Sequence, residues 1–457
     1  MLLLKNYFCL TSLPHMTDYD LIKQSIEKYF DKSIRNRRDC EQLSVLIYEK
    51  TGKIISYNTI RRFFNLAGEK NTTKISNATL DIFANYCGFP NYDKFLIGKN
   101  QSDTDLEFIR TLSLKYQQES VINSEEIKLL ADQFYDNPLF YNFINDLVFH
   151  AFLKKDCAFI KTLFSITVLF ENKHYLYKHI YFLIQTIGIQ LRNYPEIQDA
   201  VWEEWAKSTY GRQMYFELFV DMDYLFVQHY KGMEAYLSHA KNPEELLFSH
   251  VLLFWKSYFL GEENQLNYHY DELKKIKLTT AIHPIPIARS LSCQCIYEKL
   301  KTGKLTEQTK NEISYWTTSV KSSLLEGKQI PNYHFWLCEG LIVADENELV
   351  LTLIQDVKTN YFNDRTYFNN GGYERLKVYE ALAYARLNER NKALALGKLI
   401  DRNQFFAFSK TYDSCFYYSL QILTGEKTKA QILSSEDGSL VTKLHLEKVI
   451  DVLITRR

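Results

Sequence analysis

The chain has 457 residues, and its 55 Lys and Arg balance 55 Asp and Glu, so the formal net charge is zero. That length predicts at least two folding units, since a typical domain has about 100 to 200 residues. A composition of 46% hydrophobic and 24% charged residues argues against disorder. With 33 Tyr and 30 Phe but only 16 Gly and 8 Pro, long helices are favoured over a loop-rich fold. We therefore predict an all-α protein.

The first residues form a short apolar leader that Lys5 and Asn6 interrupt, and no small-residue cleavage site follows it. This pattern argues against a signal peptide. A start at Met16 is the alternative explanation, in which residues 1–16 are not translated. The longest uncharged apolar run, Ile180 to Leu191, is too short to cross a bilayer. We expect a cytoplasmic protein without a membrane anchor.

The sequence contains no recognisable catalytic or metal-binding motif. The eight cysteines, at positions 9, 40, 87, 157, 293, 295, 338 and 415, include no CxxC pair, which indicates reduced thiols and no zinc site. No Walker loop, GxGxxG, GxSxG or HExxH occurs. The histidines are dispersed, and their nearest clusters, such as His174 with His179, are more typical of surface or core positions. We expect no enzymatic activity, no metal ion and no cofactor.

Basic residues are concentrated near the N-terminus although the whole chain is neutral. Residues 32–74 hold ten Lys and Arg against four Asp and Glu, a net charge of +6. Such a patch is typical of a DNA-contacting module. A solvated helical face is the alternative interpretation.

The first helix predicted in this region begins at Asp39 as N-cap, carries Leu43, Leu46 and Ile47 at helical spacing, and ends at Gly52. Next along the chain, Ser56 is a good N-cap for a second helix of about two turns that ends near Phe64.

On this second helix Ile60, Phe63 and Phe64 are expected to face inward. Its outward residues are Tyr57, Asn58, Thr59, Arg61 and Arg62. They include the side-chain types that read base edges and hold phosphates.

A third helix is predicted after a linker over 67–75, with Ser76 or Asn77 as its N-cap and Gly88 at its end. Its predicted buried side is Leu80, Ile82, Phe83 and Tyr86. The aromatic residues Phe89, Tyr92 and Phe95 follow, and we expect them to pack back and complete the small core.

A family resemblance is carried by Leu43-Ser44 through Thr51-Gly52, Ser56, Thr59-Ile60, Arg62, Ser76, Thr79-Leu80, Ala84 and Gly88-Phe89. These residues resemble the phage-repressor and Cro type of helix-turn-helix domain, which we therefore expect over 17–99. The resemblance implies that the helix after Ser56 enters the major groove of double-stranded DNA, with Arg61 and Arg62 in contact with it. The turn over 52–55 is about two residues longer than the tight turn of that family.

The full set of expected DNA contacts comes from this helix and the basic residues around it. It comprises Tyr57, Asn58, Thr59, Arg61, Arg62, Arg35, Arg37, Arg38, Lys53, Lys70 and Lys74. A protein-binding derivative of the same helical fold is the alternative.

The remaining chain, 104–457, is a succession of amphipathic helical patterns. Its breakers are Asn137-Pro138, Tyr194-Pro195, Asn242-Pro243, Pro284 to Pro286 and Ile330-Pro331. Their spacing of about 41 to 57 residues is roughly that of a helical hairpin, which predicts an α-solenoid of helical hairpins.

One repeat unit is clearer than the others. Within 373–402, Ala381, Tyr384 and Ala393 lie at the offsets where tetratricopeptide repeats place small, aromatic and small residues, and Asn388 marks the turn. The unit resembles one such repeat, which implies a concave surface able to bind a peptide or protein.

Two further features of this region have open interpretations. The aromatic groups Tyr181-Phe182, Phe254-Trp255 and Tyr333 to Trp336 are interpreted first as core, and a ligand-lining groove is the alternative. The apolar stretch 440–454 predicts either a terminal cap or a dimer surface.

The combination resembles bacterial regulators in which a repressor-like DNA-binding domain precedes a tetratricopeptide-like sensor. We expect a homodimeric transcriptional regulator that binds DNA, with a peptide or protein ligand on its helical repeats. The rival hypothesis is a non-catalytic adaptor whose N-terminal module binds protein. A third is a defence or toxin-associated protein that binds DNA only for autoregulation.

Overall fold

The part of the chain that the structure describes is helical. The computed structural model describes residues 18–66, 75–119, 121–134, 137–171, 179–322, 330–361 and 372–455. These ranges contain no strand, which confirms the all-α class. The chain divides into two compact units, Met1–Lys115 and Tyr116–Arg457, called here the N-terminal and C-terminal units. Within the described ranges, no helix is both long and apolar enough to cross a bilayer.

In its described residues, the N-terminal unit contains five helices around one small core. They are α1 (Asp18–Phe30), α2 (Arg37–Thr51), α3 (Tyr57–Phe63), α4 (Asn77–Tyr86) and the start of α5 (Tyr92–Gln118). The core includes Ile22, Ile26, Leu43, Ile47, Ile60, Phe63, Leu80, Phe83 and Phe95. Helix α1 was not predicted from the sequence. It contributes two fully buried isoleucines, so the core is larger than three short helices would supply.

Helix α2 begins three residues before the position predicted from the sequence. Its N-cap is Asn36, whose Oδ1 accepts a hydrogen bond from the Asp39 N–H at 3.1 Å. The Asp39 carboxylate instead accepts from the Arg35 N–H at 3.0 Å and pairs with Lys32 at 2.7 Å. The prediction of Asp39 as the cap was therefore wrong. Leu46 is 39% exposed, so the buried stripe of α2 is narrower than its apolar pattern.

The other predicted helix ends in this unit are confirmed. Gly52 has a φ of 68° and its N–H donates to the Tyr48 carbonyl at 2.8 Å, which closes α2 in the left-handed conformation that favours glycine. Ser56 caps α3 and Ser76 caps α4, each through a side-chain oxygen that accepts from the third following N–H.

Helix α5 continues through the predicted boundary between residues 99 and 104. It is unbroken from Tyr92 to Gln118, and the two compact units divide at Lys115–Tyr116, near its C-terminal end. The buried Phe95 and the partly buried Phe89 and Tyr92 pack against the core of the N-terminal unit, as their aromatic pattern predicts.

The C-terminal unit consists of further helices. They are α6 (Ser124–Phe134), α7 (Pro138–Lys154), α8 (Cys157–Thr162), α9 (Val168–Glu171), α10 (Tyr181–Asn193), α11 (Pro195–Lys207), α12 (Tyr230–His239), α13 (Pro243–Leu260), α14 (Glu263–Lys275), α15 (Pro284–Thr302), α16 (Glu307–Ser322), α17 (Ile330–Val343), α18 (Asn347–Tyr361), α19 (Gly372–Arg386), α20 (Arg390–Gly397), α21 (Lys410–Leu423), α22 (Lys429–Leu433), α23 (Glu436–Lys443) and α24 (Glu447–Ile454). Two π-helical segments, Gly211–Glu217 and Leu225–His229, lie between α11 and α12.

Helices of the second half of this unit pack as consecutive pairs. Helix α13 packs against α14, α15 against α16, α17 against α18 and α19 against α20, while α13, α15, α17, α19 and α21 each pack against the next in that order. Four of the predicted breakers, Pro138, Pro195, Pro243 and Pro284, are first residues of helices. Proline is tolerated there because the first helical N–H has no intrahelical acceptor.

Helices α19 and α20 contain the residues on which the clearest repeat unit was predicted. Ala381 and Ala393 are fully buried. The predicted turn residue Asn388 has a φ of 65° and lies between the two helices. Small buried residues let these helices approach closely.

The aromatic groups of the C-terminal unit mostly belong to its core. Phe254, Trp255, Tyr333 and Phe335 are buried, which confirms the core interpretation for them. Phe182 is 55% exposed. Tyr181 and Trp336 are half-buried, so the core interpretation is not confirmed for these three residues.

The apolar stretch 440–454 belongs to the interior of the unit. Helix α24 packs on α21, α13 and α17, and Val449, Ile450 and Leu453 are fully buried. A terminal cap is therefore the correct interpretation, because this apolar face is already covered within the chain. The buried face of α24 is therefore not available as a dimer surface, whereas Leu440 is 40% exposed and the homodimer stays a prediction.

A close approach of α15 and α17 depends on Gly340. A Cβ added to Gly340 would lie 2.1 Å from the Ser292 Cβ and 2.7 Å from its Cα. Because backbone would have to move, we expect Gly340→Ala to lower the free energy of unfolding by about 3 kcal/mol. Urea denaturation measures this, with Gly397→Ala as control, since its Cβ would meet only a Leu420 methyl at 3.3 Å. Equal stabilities of the two variants would contradict the prediction.

A buried histidine pair links α13 to α14 and makes stability depend on pH. The Nδ1 atoms of His250 and His269 lie 3.0 Å apart. Burial lowers the pKa of both, that of His269 to about 4. The folded state therefore keeps His269 neutral, while the same histidine in the unfolded chain takes up a proton near pH 6.5. The contribution of His269 to the free energy of unfolding is complete above pH 6.5 and is lost as the pH falls towards 4.

Because of His269, we expect the free energy of unfolding to be about 2 kcal/mol lower at pH 5 than at pH 7.5. The variant His269→Gln should reduce the pH dependence by that amount, because glutamine does not titrate. Urea denaturation at both pH values gives the comparison. An unchanged pH dependence in the variant would show that His269 does not titrate as described.

Candidate nucleic-acid interface

Helix α3 presents a polar face on the N-terminal unit. Ile60 and Phe63 are buried, and Phe64 is partly buried against the core, as predicted. On the other side Asn58 and Arg62 are exposed. The remaining predicted contacts on this helix, Tyr57, Thr59 and Arg61, are half-buried. The outward face is therefore narrower than the sequence predicts, and Asn58 and Arg62 are its most accessible members.

The long turn between α2 and α3 runs back along α2. The Ser44 hydroxyl, in the middle of α2, donates to the Ile55 carbonyl at 2.5 Å. Two residues later the Tyr57 ring lies 4.9 Å from the guanidinium of Arg37, the first residue of α2. The turn therefore places α3 beside the N-terminal half of α2, and the extra residues of the turn supply the length that this path needs.

This path brings the basic start of α2 close to α3. Arg35, Arg37 and Arg38 are all exposed at the start of α2. Burial raises the pKa of the Cys40 thiol, and the charge of Arg61 opposes part of that rise, so Arg61 also lies near the first turn of α2. We call Arg35, Arg37, Arg38, Arg61 and Arg62 the arginine cluster.

Most of the arginine cluster is free of acidic partners. Within the described ranges only Arg37 forms an ion pair, with Glu41 at 2.7 Å, and both side chains are exposed. The Arg62 Nε donates to the Asn58 carbonyl at 3.4 Å, which aligns its side chain along α3. The cluster therefore retains positive charge and donors that an anion can accept from.

The other predicted basic contacts are not part of this cluster. The Lys53 ammonium donates to the Asn85 side chain of α4 at 2.8 Å. Lys70 and Lys74 lie outside the described residues. One cation that the sequence did not indicate is Lys23 of α1, whose Nζ lies 5.3 Å from the centre of the Phe63 ring. The spacing of Ile22 and Ile26 is the signal that would have revealed its helix.

Candidate metal ligands and thiols were also predicted from the sequence. The described residues contain no group of three or more His, Cys, Asp or Glu side chains that could hold a metal ion. The predicted histidine cluster includes His174, which lies outside the described residues. The seven cysteines of the described ranges form no disulfide with one another, and all but Cys157 are buried.

Comparisons with known proteins add no assignment. Neither a family model, nor a curated protein, nor a solved structure matches this chain. The functional argument therefore rests on the residues of the N-terminal unit and on their geometry.

The hydrogen bond from the Ser44 hydroxyl to the Ile55 carbonyl holds the turn between α2 and α3 against α2. We expect Ser44→Ala to lower the free energy of unfolding by about 1 kcal/mol, because the Ile55 carbonyl loses its side-chain donor. Urea denaturation measures this loss. Ser44→Thr, which keeps the hydroxyl, should be less affected, and a Ser44→Ala variant as stable as the wild type would show that the hydroxyl does not hold the turn.

Proposed function

We propose that the protein is a DNA-binding transcriptional regulator. In this proposal the N-terminal unit is a helix-turn-helix domain, and α3 enters the major groove of double-stranded DNA. The observation that carries the proposal is the arginine cluster beside the exposed amide of Asn58. Arginine binds guanine edges or phosphates and asparagine binds adenine, so the two side-chain types together provide both base reading and backbone contact.

The second part of the proposal concerns the C-terminal unit. Its consecutive helix pairs support a tetratricopeptide-like α-solenoid that acts as a sensor for a peptide or protein ligand. We also propose a homodimer, since two copies of α3 about 34 Å apart would contact successive turns of the major groove and so raise affinity.

An adaptor function is the second candidate, and one observation favours it. Val45 and Tyr48 on α2 and Ile54 in the turn are exposed by 56%, 54% and 83%. Exposed apolar side chains of this kind are typical of protein interfaces. In that case the N-terminal unit would bind protein instead of DNA.

Fluorescence anisotropy of the full chain on a labelled mixed-sequence duplex separates the two candidates. If phosphates are contacted, the logarithm of the affinity falls linearly with the logarithm of the salt concentration, with a slope of about −0.9 per neutralised phosphate. Absence of binding at ~50 mM salt, where phosphate contacts are strong, would overturn the proposal of DNA binding.

A further inference from the structure

In the described part of the C-terminal unit, the buried Arg289 forms no hydrogen bond or ion pair through its side chain. Arg289 on α15 is 4% exposed. In the described part of the chain its guanidinium has no hydrogen bond and no carboxylate within salt-bridge distance, although it carries five N–H donors. Burial lowers its pKa to about 10, so the group is still charged at neutral pH. Burying a charged group without a hydrogen-bond acceptor costs free energy, so an acceptor that reached Arg289 would be bound favourably.

The carboxylates near Arg289 are already engaged. Glu339 accepts hydrogen bonds from the Tyr379 hydroxyl at 3.2 Å and from the Tyr412 hydroxyl at 2.5 Å. Asp413 pairs with Arg375 at 2.7 Å and accepts from the Ser409 hydroxyl at 2.8 Å. Glu339 lies near enough for its charge to oppose the lowering of the Arg289 pKa by burial. These hydrogen bonds nevertheless hold both acidic side chains on other partners, so neither accepts a hydrogen bond from Arg289.

A second guanidinium, that of Arg375, lies beside the same tryptophan ring as Arg289 and, within the described ranges, also has a donor without an acceptor. The guanidinium carbons of Arg289 and Arg375 lie 3.8 Å and 5.1 Å from the centre of the Trp336 ring. The Arg375 Nε is buried and has no acceptor. Trp336 itself is only partly buried, so one part of this group of side chains is accessible from the surface. Arg289, Arg375 and Trp336 belong to α15, α19 and α17, so the packing of the helix pairs creates this site.

We propose that Arg289, with the Arg375 Nε and the Trp336 ring, binds an anionic group of a ligand. A carboxylate or a phosphate oxygen has the chemistry required, because both accept two parallel hydrogen bonds from a guanidinium. The proposal deepens the sensor function proposed above and rests on it for its biological meaning. It places the anionic end of that ligand at Arg289. Binding of an anion to this site is measurable whether or not the protein binds DNA.

The test uses the full chain and two probes, sodium acetate and sodium phosphate, each at constant ionic strength against sodium chloride. A ligand that binds only the folded state raises the melting temperature as its concentration passes its Kd. We expect at least one probe to raise the melting temperature and to change tryptophan fluorescence saturably. A preference for acetate would indicate a carboxylate ligand, and a preference for phosphate a phosphorylated one.

Two variants make the test specific. Arg289→Met keeps the length of the side chain without its charge, and it should abolish both responses. Trp336→Phe should keep the thermal response and lose the fluorescence change. The proposal is overturned if neither probe acts at ~10 mM, well above a Kd of 1 mM, or if Arg289→Met responds like the wild type. DNA affinity is measured separately, so failure of this site and failure of the regulator hypothesis are distinguishable.

Discussion

Replacing Arg61 and Arg62 together by alanine is expected to weaken duplex binding by about 30-fold or more. Each lost contact to a base or phosphate costs about 1 to 3 kcal/mol, and every 1.4 kcal/mol is a factor of ten. If both side chains contact phosphates, the plot of the logarithm of the affinity against the logarithm of the salt concentration should also become less steep. Its slope should change by about 0.9 for each of the two phosphate contacts that are lost. Anisotropy of the full chain, wild type against variant, measures both quantities.

The matched control is the double variant Lys28→Ala and Lys94→Ala. These two exposed lysines lie on α1 and α5, so the control removes the same charge from the same unit without changing α3. We expect it to bind nearly as well as the wild type. If both double variants lose affinity equally, the effect is one of net charge only. If the Arg61 and Arg62 variant keeps its affinity, the contacts lie elsewhere, with Arg35, Arg37 and Arg38 as the next candidates.

Replacing Arg212 by alanine is expected to lower the free energy of unfolding by about 3 to 5 kcal/mol. Arg212 is 1% exposed, its Nε donates to Glu245 at 3.2 Å, and its Nη1 donates to the Ala206 carbonyl at 2.7 Å. The variant leaves Glu245 buried without its counter-charge. It also leaves the Ala206 carbonyl without this donor, so both the ionic and the hydrogen-bonding partners are lost.

An exposed ion pair of the same unit provides the control for Arg212. Lys231 pairs with Asp199 at 3.2 Å, and both side chains are exposed. Lys231→Ala should cost no more than about 1 kcal/mol, because solvent screens the pair. The double variant Arg212→Met and Glu245→Gln should recover part of the loss, since it removes the unpaired charge. A cost for Arg212→Ala as small as that for Lys231→Ala would contradict the account of the buried pair.

Local signals explain which helices the sequence predicts. Gly52, Ser56 and Ser76 mark helix ends because their conformational preference or side-chain oxygen acts on residues only a few positions away. Asn36 and Asp39 are both cap-type residues three positions apart, and pattern alone does not distinguish them. Helix α1 has a weaker sequence signal, because the i, i+4 spacing of Ile22 and Ile26 is its main apolar pattern.

The features that the sequence does not indicate depend on contacts between distant residues. Ser44 and Ile55 are brought together only by the path of the turn, and this contact places α3 beside the first turn of α2. Arg289 and Arg375 reach one tryptophan ring although 86 positions separate them in sequence. Helical periodicity predicts that such side chains lie on helices, but it does not specify which partners the packing supplies.

The most direct test of the central claim is hydrogen–deuterium exchange of the full chain with and without a duplex of about two helical turns. If α3 and the start of α2 bind DNA, peptides covering 35–41 and 56–66 should exchange more slowly in the complex. Peptides from α14 in the C-terminal unit should be unchanged and serve as the internal reference. Binding of the duplex without protection of 35–41 or 56–66 would contradict the assignment of the arginine cluster as the DNA interface.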